Sequence, residues 1–143
     1  MKTGIVSLMA LMSFGCAHAD SAIPGDHFFT KALPEPDRAQ VILSNTSKNI
    51  AAVLLGKDAR YLASLVREQT VGDFGMRCNN PQYTLWFFRS GKLIASETIC
   101  FQCHWIWPIN SDMHVVSSPE GFDISTPQAA ELAAYLKKIA PPE

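Results

Sequence analysis

The chain has 143 residues, and hydrophobic residues make up 48% of it, which is typical of a folded globular protein and not of a disordered one. Its 12 basic and 13 acidic residues give a net charge of −1, with no basic run along the sequence. We therefore expect neither nucleic acid nor an anionic membrane surface as a partner, because binding to phosphates needs concentrated positive charge.

The first 19 residues have the pattern of a secretory signal peptide. Lys2 precedes an apolar stretch over residues 4–14, and the small-residue ending Ala17-His18-Ala19 follows. The apolar stretch is too short to cross a bilayer, which needs about 20 residues. We expect cleavage between Ala19 and Asp20, a periplasmic or secreted protein, and no transmembrane segment.

The chain beyond this signal divides into an arm and a domain. Residues 20–36 are rich in proline and glycine, which predicts an irregular N-terminal arm. Residues 37–143 have the length of a single α+β domain with one core. Because Gly15-Cys16 directly follows the apolar stretch, a lipid anchor on Cys16 is the alternative to cleavage after Ala19.

The domain begins with short apolar segments. Residues 38–44 contain three consecutive aliphatic residues, a pattern that suits a strand and also fits a helical turn. We then predict two helices, one capped by Ser47 and running through Leu55 to a stop at Gly56, and one capped by Asp58. The buried face of the second helix would hold Leu62, Leu65 and Val66.

A central β-hairpin is the clearest feature of the sequence. Tyr83–Arg89 and Lys92–Trp107 are rich in aromatic and branched residues, and Ser90-Gly91 is a two-residue turn between them. Along the second strand, apolar residues alternate with polar ones, so one face is expected to be buried. Glu97 interrupts this apolar face without explanation. The remaining members of the face are Leu93, Ala95, Ile99, Phe101, Cys103, Trp105 and Trp107.

The C-terminal part predicts further strands and a final helix. Residues 113–117 and 121–124 could complete a sheet of about four strands. The final helix has Thr126 as its cap and Pro127 at its first position, and Pro141 and Pro142 end it. One face of this helix holds Ala129, Leu132, Ala133 and Leu136. The predicted fold class is α+β, with an antiparallel sheet, helices on one face and a C-terminal helix.

The string Cys100-Phe101-Gln102-Cys103-His104 matches Cys-x-x-Cys-His, the attachment motif of c-type haem. On the predicted extended strand, the two cysteines would point to opposite faces about 10 Å apart, at roughly 3.3 Å per residue. They could not both reach one macrocycle, so we expect no cofactor, and haem at Cys100, Cys103 and His104 is the alternative. A zinc or copper site that adds Cys78 fails on the same geometry, so no metal is expected.

A disulfide is the expected role of two of these cysteines. If Arg89 faces Lys92, a constant hairpin register places Cys78 opposite Cys103 on the apolar face. A Cys78–Cys103 disulfide would close a loop of about 25 residues and stabilise the fold by roughly 3 kcal/mol. The alternative pairing is Cys78 with Cys100, which would need a shifted register of the kind that bulges produce. Either pairing leaves one of the three cysteines of the exported chain without a disulfide partner within the chain.

The run from Cys78-Asn79-Asn80-Pro81, through the turn at Gly91-Lys92, to Ile99-Cys100-Phe101-Gln102-Cys103 and a closing helix resembles a group of small exported bacterial proteins of unassigned function. In that group a cysteine and a hairpin precede a Cys-Phe-x-Cys strand, and the likeness covers residues 70–140. This chain departs from the group by placing His104 after the second strand cysteine. The resemblance implies the fold and structural cysteines, and it implies no activity.

The sequence contains no nucleophile elbow, phosphate-binding glycine loop or His-Glu-x-x-His motif, so no catalytic residue is predicted. Trp86, Trp105 and Trp107 could form a binding surface, but we expect them in the core.

We expect a non-enzymatic binding or inhibitory module of the cell envelope, of the immunity type, with another protein as partner. A haem- or metal-binding redox protein and a small envelope enzyme are the alternatives. The scattered carboxylates are Asp73, Glu97, Asp112, Glu120 and Asp123.

Overall fold

The computed structural model describes residues 34–44, 49–73, 81–109 and 120–142. Six described strands form one antiparallel sheet in the order β2-β1-β3-β4-β5-β6. The α+β class with a C-terminal helix is confirmed, whereas the expected count of about four strands is wrong. In chain order the elements are β1 (Arg38–Leu43), β2 (Ile50–Leu55), α1 (Lys57–Arg67), β3 (Tyr83–Arg89), β4 (Lys92–Cys100), β5 (Trp105–Pro108), β6 (Glu120–Gly121) and α2 (Pro127–Ile139).

Several predictions from the sequence fall on parts of the chain outside the described residues. These are the signal peptide over residues 1–19, most of the arm over residues 20–36, the helix cap at Ser47, and the strand over residues 113–117. Cys16 and Cys78 also lie outside the described residues. The predicted cleavage site and the identity of the disulfide partner therefore stay predictions.

The predicted helix before Gly56 is wrong, because residues 50–55 form strand β2. Every residue of β2 is apolar, so the segment has no helical periodicity, and pairing with β1 supplies its backbone hydrogen bonds. The helix that follows is confirmed as α1, with Leu62, Leu65 and Val66 buried. Its N-cap is Gly56 at φ 52°, and the predicted cap, Asp58, lies in the first turn.

The predicted single strand over Lys92–Trp107 is also wrong. β4 ends at Cys100, residues 101–104 form a tight turn, and β5 runs back along β4 with Cys100 opposite Trp105. In the sequence, apolar and polar residues continue to alternate from Phe101 to Trp105, so the pattern gives no sign of the reversal. The predicted common face is therefore split, because Ile99 pairs with Ile106 in the core whereas Trp105 and Trp107 lie on the opposite face.

The central β-hairpin is confirmed, with Arg89 opposite Lys92 and positive φ angles of 50° at Ser90 and 78° at Gly91. A bulge shifts the register between Phe87 and Phe88. The constant register that placed Cys78 opposite Cys103 is therefore not present, and β4 ends before Cys103. A Cys78–Cys103 disulfide stays a prediction, but the register of the hairpin does not support it.

The hydrophobic core lies between one face of the sheet and the two helices. The Tyr61 hydroxyl on α1 donates a 2.6 Å hydrogen bond to Glu131 on α2, and the Tyr61 and Tyr135 rings meet edge to face at 5.0 Å. Glu97 lies on this core face with 1% exposure, between Leu85 and Pro108 on the neighbouring strands. The largest buried apolar residues are Phe87, Phe122, Leu62, Leu85, Ile99, Ile106, Leu132 and Leu136.

The C-terminal helix α2 is confirmed as predicted. The Thr126 side chain accepts a hydrogen bond from the Ala129 amide at 3.2 Å, and Pro127 is the first helical residue. Ala129, Leu132 and Leu136 are buried, and Ala133 is half-buried. In the described part of the chain, neither helix has the length and apolar character needed to span a membrane.

Candidate functional site

The face of the sheet opposite α1 and α2 carries a patch of apolar and aromatic side chains. Two rows of cross-strand neighbours run across β2, β1 and β3 on this face. One row is Leu55, Arg38 and Phe88, and the next is Val53, Gln40 and Trp86. We call the set Val53, Leu55, Arg38, Trp86 and Phe88 the β2 patch.

Exposure distinguishes the β2 patch from the core. Leu55 is 64% exposed and Val53 is 54% exposed, which is unusual for large aliphatic residues in a regular strand. The Arg38 guanidinium lies 4.1 Å from the centre of the Phe88 ring, and Trp86 meets Phe88 edge to face at 6.4 Å. Tryptophan, phenylalanine and arginine are enriched in protein interfaces, and tryptophan and arginine dominate their binding energy. The patch has the composition of a protein-binding surface.

The β2 patch reaches one edge of the sheet that the described strands form. Among these strands, β2 is the last at its end of the sheet, and the Gly56 amide donates inward to the Asp37 carbonyl at 2.8 Å. Because the backbone groups of a strand alternate in direction, those of Leu55 and Val53 point outward, away from β1. Natural edge strands are usually protected by charge, proline or a bulge that twists the edge away. The bulge of β2 lies at its start, near Ile42, so it leaves Val53 and Leu55 as a regular edge without charge or proline.

The three tryptophans do not lie in the hydrophobic core, so this expectation is wrong. Trp86, Trp105 and Trp107 are half-buried on the face opposite the helices, and none belongs to the core cluster. Trp105 and Trp107 contact each other, with ring centres 3.8 Å apart. Each of the three indole N–H groups is buried without a hydrogen-bond acceptor among the described residues.

The Cys-x-x-Cys-His string forms the turn between β4 and β5. The Cys103 amide donates to the Cys100 sulfur at 3.2 Å, a contact that brings the two cysteines together instead of separating them as on a strand. Burial raises the pKa of the Cys100 thiol, although backbone N–H groups of Cys103 and Gln102 act in the opposite direction. The predicted disulfide of Cys103 with Cys78 stays a prediction, because Cys78 lies outside the described residues.

The geometric argument against haem therefore changes. Strand spacing does not separate Cys100 from Cys103, but both side chains are buried, with 2% and 1% exposure. Attachment of a haem requires both sulfur atoms to reach a macrocycle at the surface of the turn, and burial opposes this. Across the described residues, no three His, Cys, Asp or Glu side chains gather into a group that could hold a metal ion.

A pocket of about 550 Å³ lies beside this turn and is the second candidate site. His104, which has a φ of 59°, lines it together with Asp123 and Ser125 at the start of α2. These residue types are those of a hydrolytic triad, so their contacts decide whether the pocket supports an enzyme. The full lining is Val71, Gly72, Asp73, His104, Phe122, Asp123, Ile124 and Ser125.

The hydrogen bonds among the pocket residues stabilise the turn that precedes α2. The Ser125 hydroxyl donates to the Asp123 carboxylate at 2.6 Å and the Ser125 amide donates to it at 2.8 Å. These bonds, together with the charge of His104, lower the pKa of Asp123. A triad instead requires the serine proton to be directed to the histidine. The arrangement therefore gives no support to the enzyme alternative.

Sequence reasoning missed the patch residues Val53, Leu55 and Arg38. A signal for them was present, because six consecutive apolar residues lie between Asn49 and Gly56 without a charge. The sequence predicts a helix for this segment, and this prediction hides its position at a sheet edge.

Comparison with protein families, with curated proteins and with solved structures finds no match to this chain.

Proposed function

We propose that this protein is an exported, non-enzymatic binding module of the cell envelope, and that the β2 patch is its interface with another protein. The observation that carries the proposal is the exposure of Val53 and Leu55 on an uncharged edge strand, in register with Arg38, Trp86 and Phe88. An exposed apolar surface of this kind is typical of an interaction site.

The edge geometry favours a particular mode of binding. An extended segment of the partner would pair with β2 through backbone hydrogen bonds and place alternate side chains over the β2 patch. Such strand addition needs outward backbone groups, which Val53 and Leu55 supply. An inhibitory, immunity-type role is one form of this activity, because a strand added to β2 would be held away from its own target.

Site-specific photocrosslinking in producing cells tests the interface. A benzophenone side chain is introduced at Leu55 in one variant and at Ala134 in the control, since Ala134 is exposed on α2 and lies outside both the β2 patch and the pocket. We expect a discrete protein adduct from Leu55 and none from Ala134, with the partner identified by mass spectrometry. Equal labelling from both positions, or no adduct from Leu55, would contradict the proposal.

An intact mass of the protein from its native envelope tests the export proposal and the disulfide together. We expect a chain that begins at Asp20 and is two hydrogens lighter than its reduced form. A mass increased by a haem would instead support a cofactor at Cys100 and Cys103. A mass increased by lipid would place the protein on a membrane through Cys16.

A further inference from the structure

Arg38 is the one charged residue of the β2 patch. Its guanidinium lies 4.1 Å from the centre of the Phe88 ring, so one face of this planar group rests on the ring. The N–H groups of a guanidinium lie in its plane and form a fork that matches a carboxylate. Stacking on Phe88 therefore fixes the position of the fork and leaves its donors available to another molecule.

No carboxylate of the described residues forms an ion pair with Arg38. The two that are nearest in sequence are held by other groups. The Asp37 carboxylate accepts a hydrogen bond from the Ser90 amide at 2.7 Å. Glu35 forms a salt bridge with Arg67. The part of the chain that the structure describes thus supplies no counter-charge for Arg38.

A protein that covers the β2 patch must also cover Arg38. This residue lies between Leu55 on β2 and Phe88 on β3, so contact with both strands removes water from its guanidinium. Apolar side chains are buried favourably, but an ionised group that loses its water without gaining a counter-charge opposes binding strongly. A partner that binds here therefore has to bring an acidic group to Arg38.

The position of the guanidinium indicates which part of the partner supplies this group. A strand added beside β2 would lie two strand spacings from β1, about 10 Å. The guanidinium leans away from that strand, over Phe88 on β3. The acidic side chain therefore belongs to a part of the partner that lies over the face of the sheet, and not to the residue opposite Leu55.

We propose that the partner at the β2 patch is an acidic protein surface, whose Asp or Glu carboxylate binds Arg38 while an extended segment of the same partner pairs with β2. The inference rests on the proposed function, since it names the chemistry of the partner at the same surface. The carboxylate accepts two parallel N–H bonds from the guanidinium. It also selects the partner, because a protein without it leaves the cation unpaired.

Binding of the protein captured by the Leu55 probe to Arg38 variants tests this inference. Arg38→Met keeps an apolar stem but removes the charge, so the partner's carboxylate loses its counter-charge. We expect the dissociation constant to rise about 10- to 100-fold, as for loss of a hydrogen bond to a charged group. Arg38→Lys should have a smaller effect, because it keeps the charge and loses the fork.

Arg60→Met is the matched control, because Arg60 is exposed on α1, on the other side of the sheet. It should bind the captured protein as tightly as the wild type does, and circular dichroism establishes that each variant is folded. If Arg38→Met binds as tightly as the wild type or more tightly, the inference is overturned. That result is expected when an unpaired cation is removed from an apolar interface.

Charge reversal identifies the carboxylate directly. Arg38→Glu should abolish binding of the captured protein, and replacement of one of that protein's Asp or Glu residues by Arg should restore it. The restored affinity measures the coupling between the two positions. If no acidic position of the captured protein restores binding when it is reversed, a direct contact with Arg38 is refuted.

These results separate the inference from the proposed function. Capture of a protein by the Leu55 probe, followed by unchanged binding to Arg38→Met, would refute the acidic contact and leave the β2 patch as the interface. The absence of any adduct from Leu55 would refute the proposed function, and the inference with it.

Discussion

His104 gives the sharpest test of the turn that replaced the predicted strand. Its φ of 59° lies in the left-handed region, which costs a residue with a side chain about 1–2 kcal/mol. Glycine adopts this conformation freely but loses about 0.5–1 kcal/mol more in conformational entropy on folding. The difference between these two effects predicts that His104→Gly stabilises the protein, by up to about 1.5 kcal/mol. His104 is half-buried and outside the core cluster, so its packing loss is small.

Urea unfolding of the wild type and two variants measures this effect. Gln102→Gly is the matched control, because Gln102 is exposed in the same turn but has no positive φ. It should destabilise the protein by about 0.5–1 kcal/mol. Opposite signs for the two variants are the expected result. If His104→Gly destabilises the protein as much as Gln102→Gly does, then residues 101–104 do not form this turn.

Three further outcomes follow from local contacts. Thr126→Ala should lower the free energy of unfolding by about 1 kcal/mol in urea titrations, because it removes the cap of α2. The Cys100 thiol, whose pKa is raised by burial, should react slowly with iodoacetamide at neutral pH in the native protein and rapidly in urea. The pKa of Asp123 is lowered in the folded protein, so its stabilising effect is present above the normal pKa of aspartate and is lost as the pH falls through the lowered value. Ser125→Ala should raise this pKa toward its normal value, which NMR titration measures, and the stability that Asp123 loses on acidification should then be smaller. Unchanged titration of Asp123 in Ser125→Ala would contradict the hydrogen-bond explanation.

The elements that the sequence predicted well carry local signals that no distant contact overrides. Thr126 followed by Pro127 defines the start of a helix by backbone chemistry alone, and Ser90-Gly91 defines a tight hairpin in the same way. In both places the structure agrees with the sequence to the residue.

The elements that were mispredicted depend on contacts distant in sequence. Residues 50–55 are apolar throughout, so only their pairing with β1 decides that they form a strand. The reversal after Cys100 rests on a histidine in a conformation usually taken by glycine, which no composition rule detects. The first error hid the sheet edge at the candidate site, and the second placed Trp105 and Trp107 on the wrong face of the sheet.

The candidate site was therefore predicted only in part. The sequence drew attention to Trp86 as a possible binding residue, yet its neighbours Val53 and Leu55 become visible only when the strand order is known. The sequence argues against haem at the Cys-x-x-Cys-His string because an extended strand would separate the two cysteines. That argument is wrong, since the string forms a turn, and the burial of Cys100 and Cys103 is now the argument against haem.

Amide hydrogen exchange at Val53 and Leu55 tests the central claim most directly, because these two N–H groups point outward from the edge of the sheet. When the mature protein is mixed with the protein captured by the Leu55 probe, we expect both amides to exchange as slowly as those of the interior strands, whereas in the protein alone both should exchange rapidly. Rapid exchange of both amides in the presence of that protein would contradict the claim that the edge of β2 is the interface with another protein.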